Sequence, residues 1–279
     1  MAYKTILAHW ADANAPKTSA GLGAAMAKRF EGHLTLIAFG IEPNIAAYSY
    51  GAPGAAVISA QTEAARDQAE TLHEAAQAWH ENQAVNADAR PALSPIPRPA
   101  PTPYSHSRYA DLVVVEQPYD SPREDIAVRV TEGALFEGSA PVLICPQTAP
   151  ATVGTKVIVA WDRSVEALHA IRGAMPFLKA AEKVELTLVD PMPAEAGGEE
   201  DPGADMALTL SRHGVNVEVA QIPSVGHTVG EVLRHRVTDI GADLLVMGAY
   251  GHSRLRESLI GGPTRAMLEA APVPVLMAH

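Results

Sequence analysis

The chain has 279 residues, carries a formal net charge of -11 at pH 7 and contains one cysteine. Such a length holds two ordinary domains, each with a sizeable core. The acidic balance, without any basic stripe, excludes nucleic acid as a partner, because that binding rests on Lys and Arg neutralising phosphates.

A lone Cys145 rules out an intrachain disulfide and argues against a cysteine-based zinc site. No apolar run is long enough for a secretory leader or a membrane span, so a soluble, reducing, cytoplasmic setting without a membrane partner is expected.

Tyr3 to His9 reads as an opening strand, and an alanine-rich helix is expected over Ala15 to Phe30. His33-Leu-Thr-Leu-Ile follows as a second strand. Residues 40–59 are loop-like, broken by Pro43, Gly51, Pro53 and Gly54, and good helix formers then run from Ala60 to His80. In that helix His73-Glu74 begins like a metalloprotease motif but lacks the second histidine, so His73 is expected to face solvent. Pro91, Pro95, Pro97, Pro99, Pro101 and Pro103 exclude helix from the next stretch, since proline lacks a donor and clashes with the preceding turn. This half closes with strand Asp111 to Glu116, the segment Gln117-Pro118-Tyr119-Asp120, helix Arg123 to Glu137 and strand Pro141 to Cys145. Pro146 to Gly154 reads as a linker.

The second half opens with strand Lys156 to Trp161 and then Asp162-Arg163-Ser164. Ser164 is a suitable N-cap, and Leu168, Ile171, Met175 and Leu178 recur at helical spacing. Strand Val184 to Val189, an acidic loop from Pro191 to Gly203, a short helix from Ala204 to His213 and strand Val215 to Ile222 come next. Thr228-Val-Gly-Glu231 matches a capping box, and Val229, Val232, Leu233, Val237 and Ile240 give the following helix its apolar stripe.

These elements repeat. Lys4-Thr-Ile-Leu-Ala is echoed by Lys156-Val-Ile-Val-Ala, His33-Leu-Thr-Leu-Ile by Glu185-Leu-Thr-Leu-Val, Tyr109-Ala-Asp-Leu-Val-Val-Val by Gly241-Ala-Asp-Leu-Leu-Val-Met, and Ala140-Pro-Val-Leu-Ile by Ala271-Pro-Val-Pro-Val. The order is the same in each half, so residues 1–148 and 154–279 are expected to be two domains built on one plan, a parallel sheet covered by helices.

The last stretch carries the chemistry. Strand Asp243 to Met247 stops at Gly248; Gly248 and Gly251 frame a turn, Gly261 and Gly262 follow, Pro263 and Thr264 start a helix, and Pro274 to Ala278 is the final strand. Glycines let backbone amides approach an anion, proline suits a first helical position, and the free amides of a first turn favour phosphate. Where this half has Gly248-Ala-Tyr-Gly251, the leading half has Gln117-Pro118-Tyr119-Asp120. There the glycines are gone, a donor is lost at Pro118, and Asp120 and Glu124 add negative charge, so phosphate binding is not expected.

The spacing Gly248-x-x-Gly251, nine residues, Gly261, between DLLVMG and APVPVLM, resembles the nucleotide loop of the universal stress protein family. With the internal repeat, the resemblance to tandem members covers nearly the whole chain. One departure is Gly262, where the family pattern has Ser or Thr; Thr264 stands two residues on. The resemblance implies two tandem α/β domains, each a doubly wound, Rossmann-like parallel sheet of the adenine nucleotide alpha hydrolase-like kind, paired as an internal pseudo-dimer through their last strands.

It also implies an adenine nucleotide, ATP, ADP or AMP with or without Mg2+, bound in the second domain. Ala160 and Asp162 would meet base and ribose, and Leu188, Val189 and Met247 would pack on the ring. Gly248, Gly251, His252, Arg254, Gly261, Gly262, Pro263 and Thr264 would surround the phosphates. Arg256 and Arg265 are further phosphate candidates. The implied role is a nucleotide-gated stress sensor or regulator. A slow nucleotide hydrolase and a non-binding scaffold with a vestigial loop are the alternatives, and a homodimer and a protein partner stay open. No Walker lysine, dinucleotide fingerprint or nucleophile elbow is present.

Overall fold

The computed structural model describes residues 2–10, 18–42, 55–95, 106–119, 124–148, 150–191, 202–249 and 262–279. The fold is mixed α/β with mostly parallel strands, and the chain divides into two compact units. The first comprises Tyr3–Val115 and Glu132–Ala140; the second comprises Met1–Ala2, Glu116–Thr131 and Pro141–His279.

In the first unit the elements are β1 (Thr5–Trp10), α1 (Thr18–Phe30), β2 (His33–Glu42), α2 (Ala55–His80), β3 (Asn86–Pro95), a turn of 3-10 helix at His106–Tyr109, and β4 (Leu112–Glu116), whose last residue belongs to the second unit. The strand order is β3-β2-β1-β4, all parallel. β1 is buried along five of its six residues, as expected of a strand covered on both faces. α1 packs on β1 and β2, and α2 on β2 and β3.

Two expectations change here, at the loop and at His73, while the proline stretch is non-helical as expected where it is described. β2 extends to Glu42 and α2 begins at Ala55, so both run into the segment read as loop. Strand β3 passes through Pro91 and Pro95. It pairs with β2 alone among the described strands, and an edge strand has amides that need no ladder partner, so proline is tolerated there. His73 does not face solvent. Its side chain is 16% exposed, Nε2 lies 3.1 Å from the Ala89 carbonyl of β3, and Nδ1 lies 3.4 Å from Glu70 Oε1.

The second unit contains β5 (Val142–Cys145), β6 (Lys156–Ala160), α4 (Val165–Ala180), β7 (Lys183–Val189), α5 (Ala204–Arg212), β8 (Val217–Ile222), α6 (Val229–Ile240), β9 (Leu244–Gly248), α7 (Pro263–Glu269) and β10 (Val275–Ala278). Helix α3 (Glu124–Glu137) is divided, with residues 124–131 in this unit and 132–137 in the first. Strand order is β5-β10-β9-β6-β7-β8, parallel except for the antiparallel pair β5 and β10, which pairs the closing strands of the two sequence repeats.

Both expected caps form. Ser164 Oγ accepts from the Ala167 amide at 3.1 Å. The Thr228 amide donates to Glu231 Oε2 at 2.8 Å, and the Glu231 amide donates back to Thr228 Oγ1 at 3.3 Å. The buried faces differ in detail. On α4, Ala167, Ala170, Ala174 and Phe177 join Ile171 and Leu178 in the core, while Leu168 and Met175 are half-buried. The helix packs on β9 and β10, with small and large side chains alike on its buried face. On α6, Val232, Leu233 and Val237 are buried, Ile240 is half-buried and Val229 is exposed, because Gly230 takes the position facing α7.

Candidate functional site at the carboxyl edge of the second sheet

Register sets which residues meet. Ala160 lies opposite Thr187 and Val159 opposite Val246, so Asp162, two residues past β6, follows the same strand ends at which Val189 closes β7 and Gly248 closes β9. From β6 the chain proceeds to β7 and β8 on one side, while β9 and β10 lie on the other. The carboxyl ends of β6 and β9 therefore flank a topological switch point, where open parallel sheets bind ligands. Ala160, Asp162, Leu188, Val189, Met247 and Gly248 come together at this edge. Gly251, His252, Arg254 and Gly261, with Arg256, lie outside the described residues.

Asp162 is exposed, and its Oδ1 accepts from the Ser164 amide at 2.9 Å. Between them Arg163 adopts φ 66°, so the chain turns sharply into α4. Asp162 thus shapes the helix start as well as standing at the edge. Val189 is half-buried at the surface, whereas Leu188 and Met247 are 3% and 5% exposed and belong to the core.

Gly248 has a packing reason of its own. A Cβ there would lie 2.6 Å from the Ala167 amide nitrogen and 2.9 Å from the Glu166 carbonyl carbon. Only glycine lets the first turn of α4 rest on the end of β9. Gly262, the N-cap of α7, is different, since among the described residues a Cβ would meet nothing within 4 Å but φ is 145°. Backbone conformation favours glycine there. Pro263 occupies the first turn and Thr264 is 7% exposed. Gly230 of α6 seats this helix, since a Cβ on it would lie 2.7 Å from Ala266 Cβ.

Arg265 is engaged locally. Its Nε donates to Glu269 Oε1 at 2.6 Å, and its guanidinium lies 5.3 Å from the centroid of the Tyr119 ring. Asp190 went unnoticed in the sequence, although it directly follows Val189. It sits at φ 45°, and its Oδ1 accepts from the Ser224 amide at 3.0 Å, tying the ends of β7 and β8. Hydrogen bonds from Ser224 hold its carboxyl below the usual carboxylate range.

An ion pair between a buried carboxylate and a half-buried arginine supports this edge from below. Glu185 on β7 is 1% exposed; Arg236 of α6 donates from Nε to Oε1 at 2.8 Å and from Nη2 to Oε2 at 2.6 Å, and Thr187 Oγ1 donates to Oε1 at 2.9 Å. Burial pushes the Glu185 carboxyl up, but the hydrogen bonds from Arg236 and Thr187 and the Arg236 charge outweigh it and hold it below its ordinary value. Among the described residues no group of three or more His, Cys, Asp or Glu is placed to hold a metal ion, and no helix is long and apolar enough to cross a membrane.

The structure also corrects the alignment of the two loops. The Gln117 amide donates to the Cys145 carbonyl at 2.8 Å, as the Ala249 amide does to Ala278 at 2.9 Å. Gln117 therefore corresponds to Ala249, and Glu116 to Gly248, one residue away from the correspondence read from the sequence. Strand β9 runs to Gly248, one residue beyond the Met247 end read from the sequence, while β4 ends at Glu116 as expected.

Residues 155–279 match the model described as the Universal stress protein family. Universal stress protein Slr1230 of Synechocystis sp. (strain ATCC 27184 / PCC 6803 / Kazusa) is 40% identical over 67 residues, which is 24% of this chain and 22% of that protein's length. A universal stress protein structure from Archaeoglobus fulgidus DSM 4304 matches with a TM-score of 0.64 at 18% identity, covering 98% of this chain and 95% of that one. Another structure, from Pseudomonas aeruginosa UCBPP-PA14, matches with a TM-score of 0.53 at 15% identity, covering 99% and 92%. At such identities the likeness of the structures is one of fold. Residues 155–279 are therefore similar in sequence to the universal stress protein family, and the chain as a whole shares the fold of solved universal stress proteins.

Proposed function

We propose that the chain is a tandem stress-response protein whose second domain, residues 154–279, binds an adenine nucleotide, and whose first domain, residues 1–148, no longer does. The observation that carries this reading is the edge at the carboxyl ends of β6, β7 and β9, where Asp162 is exposed and Val189 half-buried, with Gly262 at the N-cap of α7 in a backbone conformation that favours glycine. That arrangement fits the ligand. The exposed Asp162 carboxylate accepts from base or ribose hydroxyls, Val189 offers an apolar face to a ring, and the glycine-rich segment leading to Gly262 supplies backbone donors to phosphate.

Mg2+ would arrive with the phosphates, since the described residues offer no three-ligand cluster for it. Binding would act as a signal by favouring one conformation or assembly over another. Titration calorimetry with ATP, ADP and AMP, with and without Mg2+, tests the reading on the wild type and on Gly251→Asp, which places in this loop the kind of charge that Asp120 gives the leading half. Binding by the wild type and its loss in the variant are expected. A wild type that binds none of them overturns the reading in favour of a scaffold, and sustained turnover of ATP replaces it with an enzyme.

A further inference from the structure

Helix α7 has seven residues, too few to hold its own shape in water, so contacts with its neighbours must fix its direction. Gly230 and the buried Met267 and Leu268 seat one side. The other restraint comes from the segment that follows β4. Gln117 is 7% exposed; its Nε2 donates to the Glu269 carbonyl at 2.6 Å, and its Oε1 accepts from the Ala271 amide at 3.4 Å. One side-chain amide thus satisfies an end-of-helix carbonyl and the first amide beyond the C-cap. Two residues on, the Tyr119 ring lies under the Arg265 guanidinium, which is itself held by Glu269.

We infer that Gln117 and Tyr119, in the leading repeat's degenerate loop, are positioning residues for the second repeat's ligand loop: they clamp α7 and thereby aim the Gly262–Thr264 segment. The inference rests on the nucleotide reading above for its ligand, though the clamp itself does not need a ligand. Having lost the composition for phosphate, the first loop presents a glutamine and a tyrosine to the helix that carries the other copy's phosphate contacts. A ligand in the second domain and the conformation of this linking segment are then coupled in both directions.

Two measurements on the full chain separate the clamp from its ligand. Hydrogen exchange without nucleotide should show α7 amides exchanging about tenfold faster in Gln117→Leu while α6 amides keep their wild-type rates. Tyr119→Ala should give a smaller rise, and Gln117→Glu, which keeps an acceptor but loses the donor to Glu269, an intermediate one. ATP should bind Gln117→Leu about tenfold more weakly, with adenosine affinity unchanged, because only the phosphate end is misaimed. Unchanged α7 exchange, or exchange that rises equally in α6, overturns the clamp. Faster α7 exchange with wild-type ATP affinity overturns its link to the ligand. A wild type that fails to bind ATP overturns the nucleotide reading, and the exchange result still decides the clamp.

Discussion

The two repeats agree at one edge of their strands and diverge at the other. Where the central strands begin, Asp111 Oδ2 accepts from the Lys4 and Thr5 amides at 2.8 and 2.9 Å, and Asp243 Oδ1 accepts from the Thr155 and Lys156 amides at 2.8 and 2.9 Å. The same clasp thus joins each central pair of strands. Where the strands end, Gly248 lies under a helix turn and leads toward Gly262, whereas the leading half has Glu116 and Gln117. The edge that holds the sheet together is alike in both copies, and the edge at which a ligand is proposed to bind is not.

A second difference follows from the helix the leading repeat lacks. Lys156 Nζ donates to the Ile240 carbonyl at the end of α6. Before β4 the first repeat has a 3-10 turn instead, and Lys4, which the clasp sets against Thr155 one residue before Lys156, donates to the Phe30 and Glu31 carbonyls at the end of α1. The cation caps whichever helix end is within reach.

The echoed second strands diverge most in energy. The buried Glu185 carboxylate finds Arg236 of α6, while His33, its match in the sequence echo though the ladders put Thr35 at that place, meets Asp88, which also bonds Arg90, where side chains are 36–54% exposed. Arg236→Ala should therefore cost about 3–5 kcal/mol in urea unfolding, since it strands a buried carboxylate. Arg90→Ala should cost less than about 1 kcal/mol. Equal costs would erase the distinction. The pH dependence sharpens it: the folded-state pKa of Glu185 is depressed, so its contribution is complete above the ordinary value of 4.5 and is lost as pH falls through the folded value. Stability of Glu185→Gln should fall less steeply below that pH than the wild type's.

Gly248→Ala comes next, with an expected loss of about 1–3 kcal/mol, because the added carbon meets helix backbone that cannot swing aside. Glu116 already bears a side chain at the corresponding place, so Glu116→Ala introduces no collision. Urea midpoints for both variants check this, and a fully tolerated Gly248→Ala would show that α4 does not sit on β9 as described.

The smallest difference is expected at the shared clasp. Asp111→Ala and Asp243→Ala should each cost about 2 kcal/mol, matching to within about 0.5 kcal/mol, since each carboxylate serves two strand amides. A clear inequality in thermal or urea unfolding would mean that this edge, too, has diverged.

Much of this was readable in the chain. Local signals carry their own physics: Ser164 and the Thr228 and Glu231 pair cap their helices by bonds no longer than a turn, and apolar runs such as Leu244 to Met247 bury themselves on both faces. The site was half legible. Asp162, Val189 and Gly248 meet where strand ends were expected to meet, yet the reason for Gly248 lies in α4 and that for Gly262 in its backbone angle. Other features escaped because their partners are far along the chain. Glu185 and Arg236 are 51 residues apart and Gln117 and Glu269 are 152 apart, and no spacing rule links such pairs.

By itself, then, the order of residues determined the alternation of strands and helices, the internal repeat, the capped helix starts and the glycine spacing that resembles the family's nucleotide loop, all of which are local in the chain or read by comparing its halves. Tertiary structure alone decided that β3 may carry prolines at an edge, that His73 turns inward, that Glu185 is paired, and that Gln117 holds a helix of the other repeat. Those outcomes depend on which surfaces pack together, and burial, which sets the strength of a charge or a hydrogen bond, exists only once they have.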